Sequence, residues 1–597
     1  MSKTATATAD LGALPLWDLS DFYAGPDAPE LRADLAAVAD SVKEFETSYK
    51  GKIGDADGAI LARAIGEYEG LQDRLGRIGC YAQLLHAGNM TDSKISQFQQ
   101  TIRERLSDIT SGLIFFTLEI NRIEEDELER RIETSSALAH YRPWLRDVRL
   151  WRPHELSDDM EALLHDKYVS GRAAWNRLFD ETVSDLSFDV GGETMNLEQA
   201  LHQLSEPDAD RRKTAAKAVG AVLGQNARQF ALITNTLIKD KEIEDRWRKY
   251  ARPEDSRHLA NQVEGEVVDA LRQAVIEAYP RLSHRYYKMK AKWFGAESIP
   301  YWDRNAPLPG ADDKLYRFEE ARDIVLDAYG RFSPDLADLG RRFFDNAWID
   351  APVRPGKAPG AFAHPTVPSA HPYLLLNYQG RTRDVMTLAH ELGHGVHQLL
   401  AAPQGALMAD TPLTLAETAS VFGEQLTFRA LLENESDPAR RRHMLASKVE
   451  DMINTVVRQT AFYDFELKLH NERREGELTA DRIGEIWLEV QGASLGPGIR
   501  FEDEYRHYWT YISHFVHVPF YVYAYAFGDC LVNSLYAVYQ QAEEGFQVKY
   551  FEMLKAGGTL RHQELLAPFG LDASDPHFWQ KGLGVIESFI EELDELG

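Results

Sequence analysis

His390-Glu-Leu-Gly-His394 constrains this chain more than any other stretch of it. Four residues is just over one helical turn, so on a helix His390 and His394 stand on one face and can share one Zn²⁺. Glu391 then points about 100° round the axis, towards the open side of such a metal, where a carboxylate can work on a water molecule. With 19 His and 94 acidic residues in 597, chance supplies fewer than about 0.1 matches of this kind. The flanking residues supply the helix: Val385, Leu388, Ala389, Leu392, Val396, Leu399 and Leu400 recur close to helical spacing. Gly380 marks a turn upstream, and Thr382 or Asp384 is the expected N-cap. The plainer reading is a helix with two buried histidines that are merely hydrogen-bonded.

A catalytic zinc takes three protein ligands and keeps one position for water. The metzincin pattern fails here, because His397 and Leu400 occupy the places of its glycine and third histidine. His397 is expected in the core or behind the ligands, since three ligands from one helix strain the geometry. Glu417 is the better third ligand. It lies in Leu413-Thr-Leu-Ala-Glu-Thr-Ala-Ser-Val-Phe-Gly-Glu424, which reads as a second helix whose small Ala416, Ala419 and Gly423 allow close packing on the first. Glu424, two turns along the same face, could accept the second ring N–H of a ligating histidine. The plain alternative for both acids is a solvated surface charge, at odds with their Leu, Ala, Val and Phe neighbours.

These motifs together resemble the M3 family of zinc oligopeptidases, most closely its oligoendopeptidase F branch. Three more stretches carry the resemblance: Trp17-Asp-Leu-Ser-Asp-Phe-Tyr23, His371-Pro-Tyr-Leu-Leu-Leu-Asn-Tyr-Gln-Gly380 and His514-Phe-Val-His-Val-Pro-Phe-Tyr-Val-Tyr-Ala-Tyr525. It implies a mainly α, two-lobed, thermolysin-like zincin with a small β-sheet beside the His390 helix and a deep channel for short peptides. It also implies His390, His394 and Glu417 as ligands of one Zn²⁺ and Glu391 as general base. His514 and one or more of Tyr521, Tyr523 and Tyr525 would donate to the oxyanion of the tetrahedral intermediate. On a helix Tyr521 and Tyr525 share a face and Tyr523 opposes them; core packing is the default for such a stripe. Pro519 suits a first helical turn, so a loop is expected to about Val518 and a helix beyond it.

A chain of 67.7 kDa with 44% hydrophobic residues exceeds what one core organises, so two or more lobes are expected. A net charge of −28 argues against a nucleic-acid partner. No apolar run reaches transmembrane length, and Met-Ser-Lys-Thr-Ala-Thr-Ala-Thr-Ala-Asp10 lacks a signal-peptide core, so a cytoplasmic protein without membrane association is expected. Cys80 and Cys530 form no C-x-x-C pair, which suggests neither a disulfide framework nor a thiolate zinc site.

Helical periodicity runs from Ala59 to about Arg131 as paired helices, then from Met160 to Arg177. Phe188-Asp-Val-Gly-Gly-Glu-Thr-Met195 reads as a small hairpin at a lobe boundary that separates 1–195 from a catalytic region, 196–597. Helices resume from Leu197 to Arg248, Val267 to Phe294 and Glu319 to Tyr329. The Pro- and Gly-containing stretch 351–365 reads as loop, and Tyr373–Tyr378 as a buried strand leading into the His390 helix. If residues 360–362 form an exposed edge, they could hold an extended peptide by strand addition; a plain surface loop is the alternative. The expected activity is zinc-dependent endopeptidase action on short, unstructured peptides. A zinc exopeptidase and a catalytically silent peptide-binding protein on the same scaffold stay open.

Overall fold

The computed structural model describes residues 10–308, 314–541 and 545–596; the residues up to 9, which belong to the segment expected to lack a signal-peptide core, lie outside it. Contacts divide the chain into two compact units, one of residues 1–152, 313–434 and 541–570, the other of 153–312, 435–540 and 571–597. These units interleave along the sequence, whereas the division at 195/196 follows chain order. The chain is mainly helical with small sheets, and among the described residues the longest strand has six residues. No described helix is long and apolar enough to cross a membrane.

In the first unit the paired helices are Gly58–Gly88 and Ser93–Thr110, each opened by an aspartate, Asp57 and Asp92, whose carboxylate takes first-turn amides. Its sheet has three strands in the order Ile349–Pro352, Tyr373–Tyr378, Phe362–His364, the first pair parallel and the second antiparallel. Tyr373, Leu374 and Leu375 are fully buried, as an uninterrupted apolar run in a central strand should be. Two strands therefore lie at the ends of what reads as one loop in the sequence. Between them Lys357 enters the interior, where its Nζ bonds Asp350 Oδ1 at 2.8 Å and the carbonyls of Asp350 and Pro352 at 2.9 and 3.0 Å. The Trp17–Tyr23 stretch packs on the same sheet: Trp17 meets the Tyr373 ring edge-on at 6.0 Å, and Tyr373 Oη donates to the Asp18 carbonyl at 2.8 Å.

The central strand turns into helix Thr382–Ala401 at Gly380, whose φ of 86° favours glycine. The N-cap is Arg381, not Thr382 or Asp384. Asp384 instead reaches back from the first turn to accept the amides of Gln379 and Arg381 at 3.0 and 2.9 Å. Val385, Leu388, Ala389, Leu392 and Val396 are fully buried and anchor the helix; each large side chain among them contributes about 1.5–3 kcal/mol.

In the second unit the single helix expected from Met160 to Arg177 is two, Asp158–Tyr168 and Arg172–Asp185, divided at Gly171. The hairpin pairs Phe188–Val190 with Glu193–Met195 through Gly191 and Gly192 at φ 65° and 87°, the conformation a two-residue turn of this kind needs. Helix Ala209–Trp247 follows after a short helix, Leu197–His202, and spans 39 residues.

Candidate metal centre

His390 and His394 lie on one face of helix Thr382–Ala401, and Glu417 closes on them from the chain that follows. Glu417 Oε2 is 3.4 Å from Nε2 of His390 and 3.4 Å from Nε2 of His394. Donor atoms on a tetrahedron of ~2.1 Å metal bonds stand about 3.4 Å apart, so the distances from Glu417 to both imidazoles suit a shared zinc ion. The three donor atoms all lie within 4.8 Å of one another. His390 Nδ1 lies 3.2 Å from Glu424 Oε2, and the Ala416 carbonyl lies near the His394 ring. Such contacts fix ring orientation and tautomer and leave Nε2 free.

Glu417 and Glu424 do not share one helix. Leu413–Ala416 is a single helical turn, residues 417–419 form a turn, and a new helix runs Ser420–Asn434. Local side-chain bonds compete with the helix there: Thr418 Oγ1 donates to the Leu415 carbonyl at 2.5 Å, and Ser420 Oγ to Glu417 Oε2 at 2.5 Å. Tyr550 Oη then takes the Thr418 carbonyl at 2.9 Å. The turn lies against the His390 helix because residue 393 is glycine, where a Cβ would meet the Ala419 carbonyl oxygen at 2.5 Å and Ser420 Cα at 2.7 Å. Ser420, the Ala416 carbonyl and Tyr550 carry no sequence signal of these roles, because each acts through a contact that only the folded chain creates.

Glu391 is buried, with the backbone amide of Ala363 on the edge strand near its carboxylate. Burial pushes its carboxyl up to about 7, against the pull of His390 and with the push of Glu417. A carboxylate near neutrality can both take and return a proton. The strand Phe362–His364 pairs only with the central strand among the described residues. His397 is buried and not among the three grouped donors; its Nε2 lies 3.4 Å from Thr411 Oγ1.

The second unit holds the remaining candidates. His514 Nε2 is 3.3 Å from Tyr525 Oη, and the Tyr521 and Tyr525 rings are 5.4 Å apart. These three are brought together. Tyr523 is not with them: it is 2% exposed, and its hydroxyl meets His258 Nδ1 at 3.1 Å and Asn261 Nδ2 at 2.8 Å. The helix expected beyond Val518 starts at Tyr523. Ahead of it Phe520 adopts φ 60°, held by its amide bond to Glu466 Oε1 at 2.8 Å. The preceding stretch is a 3₁₀ helix, Asp503–Tyr511, and a short helix, His514–His517, instead of a loop.

The fold agrees with comparisons to known proteins. The chain is 26% identical over 596 residues to oligopeptidase PepF of Bacillus subtilis, which covers 98% of this chain and 88% of that one. Among solved structures, a protein of Chlamydophila abortus superposes with a TM-score of 0.86 at 22% identity, covering 98% of both chains. Oligoendopeptidase-F of Enterococcus faecium gives 0.71 at 22% identity, covering 95% of this chain and 98% of that one. The sequence profile of oligopeptidase F matches residues 119–188 and that of peptidase family M3 residues 202–585. With most of its length matched in this way, the chain belongs to peptidase family M3.

Proposed function

We propose that this peptidase is a zinc-dependent endopeptidase that hydrolyses internal bonds of short, unstructured peptides in the cytoplasm. The observation that carries the reading is the donor group of His390, His394 and Glu417, in which Glu417 stands at tetrahedral spacing from both imidazoles, with buried Glu391 near Ala363 of the edge strand. His390, His394 and Glu417 would hold the ion. When bound, Zn²⁺ supplies a Lewis acid that lowers the pKa of a water and polarises the scissile carbonyl. Glu391 takes the proton of the attacking water and returns it to the leaving amine, so no acyl-enzyme forms. The edge strand aligns an extended peptide through main-chain bonds, which tolerates varied side chains. The family resemblance supports His514, Tyr521 and Tyr525 as hydrogen-bond donors to the oxyanion.

The test combines metal analysis of the purified protein with mass-spectrometric mapping of products from a peptide library. One zinc per chain and cleavage at internal bonds are expected. Glu391→Gln should keep the metal and lose about 10²–10⁴-fold in turnover, the usual worth of a general base. A metal-loaded Glu391→Gln protein that works at the parent rate would overturn the mechanism. Release of only terminal residues would favour an exopeptidase, and binding without cleavage a silent peptide-binding protein.

A further inference from the structure

Within the first unit, residues 365–372 after the edge strand, the C-terminal half of the His390 helix and residues 409–416 enclose a cavity of about 300 Å³. His394 is part of its wall, so the cavity adjoins the candidate metal centre. Much of the rest is small and apolar, with Val367, Pro368, Pro372 and Ala402 among its lining. Its polar lining includes Asp410 and Gln398. The Asp410 carboxylate has no ion-pair or hydrogen-bond partner among the described residues, although it remains water-accessible. Gln398, also in the lining, has a buried Oε1 with no hydrogen-bond partner among the described residues. Crowding by the surrounding atoms holds the Asp410 carboxyl above the usual carboxylate range. A cation that enters the cavity would meet in Asp410 a carboxylate that no protein cation neutralises among the described residues.

We propose that this cavity is a specificity pocket for a lysine or arginine side chain of the peptide, with Asp410 pairing its cationic end. The inference rests on the peptidase reading above and names a substrate class for that site. The apolar lining suits the methylene stem of such a side chain, and the Asp410 carboxylate suits its charged head. A peptide's N-terminal ammonium offers the same charge with no stem to fill the apolar part. An acidic side chain would meet a like charge and is disfavoured.

The experiment uses N-acetylated, C-amidated peptides that differ only in Lys, norleucine or Glu at one position flanking the cleaved bond. The Lys peptide should exceed the norleucine peptide in kcat/KM by about threefold to fivefold, as expected for an ion pair with a water-accessible carboxylate. Asp410→Asn, nearly isosteric, should bring the two peptides within about twofold while leaving the norleucine peptide unchanged, and Asp410→Lys should favour the Glu peptide. An unchanged Lys preference in Asp410→Asn, or none in the parent, overturns the pocket. A preference that appears only for unblocked peptides lacking Lys assigns the charge to the N-terminus and overturns the side-chain proposal. If no peptide is cleaved, the peptidase chemistry fails, and equilibrium binding of the same peptides decides the pocket separately. A Lys preference lost in Asp410→Asn sustains it, and equal binding sinks it.

Discussion

Glu417 and Glu424 carry the same charge seven residues apart, yet the fold separates their tasks: one faces both Nε2 atoms, the other the Nδ1 of His390. Removing a ligand should cost more than removing its support. Glu417→Ala should bind zinc at least about 100-fold more weakly, and Glu424→Ala about 10–100-fold more weakly, in competition with a chromogenic chelator. Equal zinc affinity in Glu417→Ala and the parent would remove Glu417 from the ligand set. A second residue-scale effect lies at His258, buried against Tyr523, where burial first and then the Arg252 charge hold its pKa near 4 instead of 6.5. Below pH 6.5 the unfolded chain takes up a proton that the folded chain refuses, so stability is lost as pH falls from about 6.5 through about 4. The slope for one such group is ~1.4 kcal/mol per pH unit. His258→Asn should flatten the acid side of the urea-midpoint profile over that window; a profile parallel to the parent's would exclude the effect. The His390, Glu391, His394 pattern was legible because one helix fixes all three. Ser420 was not, since its bond to Glu417 exists only where the helix breaks.

At the scale of elements, periodicity located the His390 helix, the central strand and the hairpin, because one buried face or one two-residue turn dictates each. It failed where tertiary contacts overrode local preference. The break at Glu417 follows from side-chain bonds and the close approach at Gly393, and the late start at Tyr523 from the Glu466 hold on Phe520. Gly393 is therefore an element-level determinant. Gly393→Ala places a methyl against the Ala419–Ser420 backbone, where neither side is the free end of a flexible side chain. It should cost about 1–3 kcal/mol and weaken zinc binding as the Glu417 turn shifts. Thermal melting and chelator competition read both effects, and unaltered values in both would refute the close packing. The 351–365 stretch read as loop because its strands are only three and four residues long and its staple, Lys357, is a residue type rarely buried.

For the whole molecule, recognition by an open strand edge requires a peptide that can present its backbone. A segment inside a folded host must first unfold, at a cost comparable to the host's stability of about 5–15 kcal/mol. The same segment should be cut when free and resist when embedded in a stable domain, and acetylating and amidating the free peptide should leave internal cleavage intact. Comparable cleavage of the folded host, followed by gel and mass spectrometry, would contradict this selectivity. The sequence by itself determined the helical class, the family likeness and the spacing of His390, Glu391 and His394, since each is set by composition or by residues within one or two turns. Tertiary structure alone decided which carboxylate faces both histidines, which tyrosine is core, and that Asp410 lines a cavity beside His394. Those are relations between segments distant in sequence, created when the backbone of one comes to rest against the side chains of another.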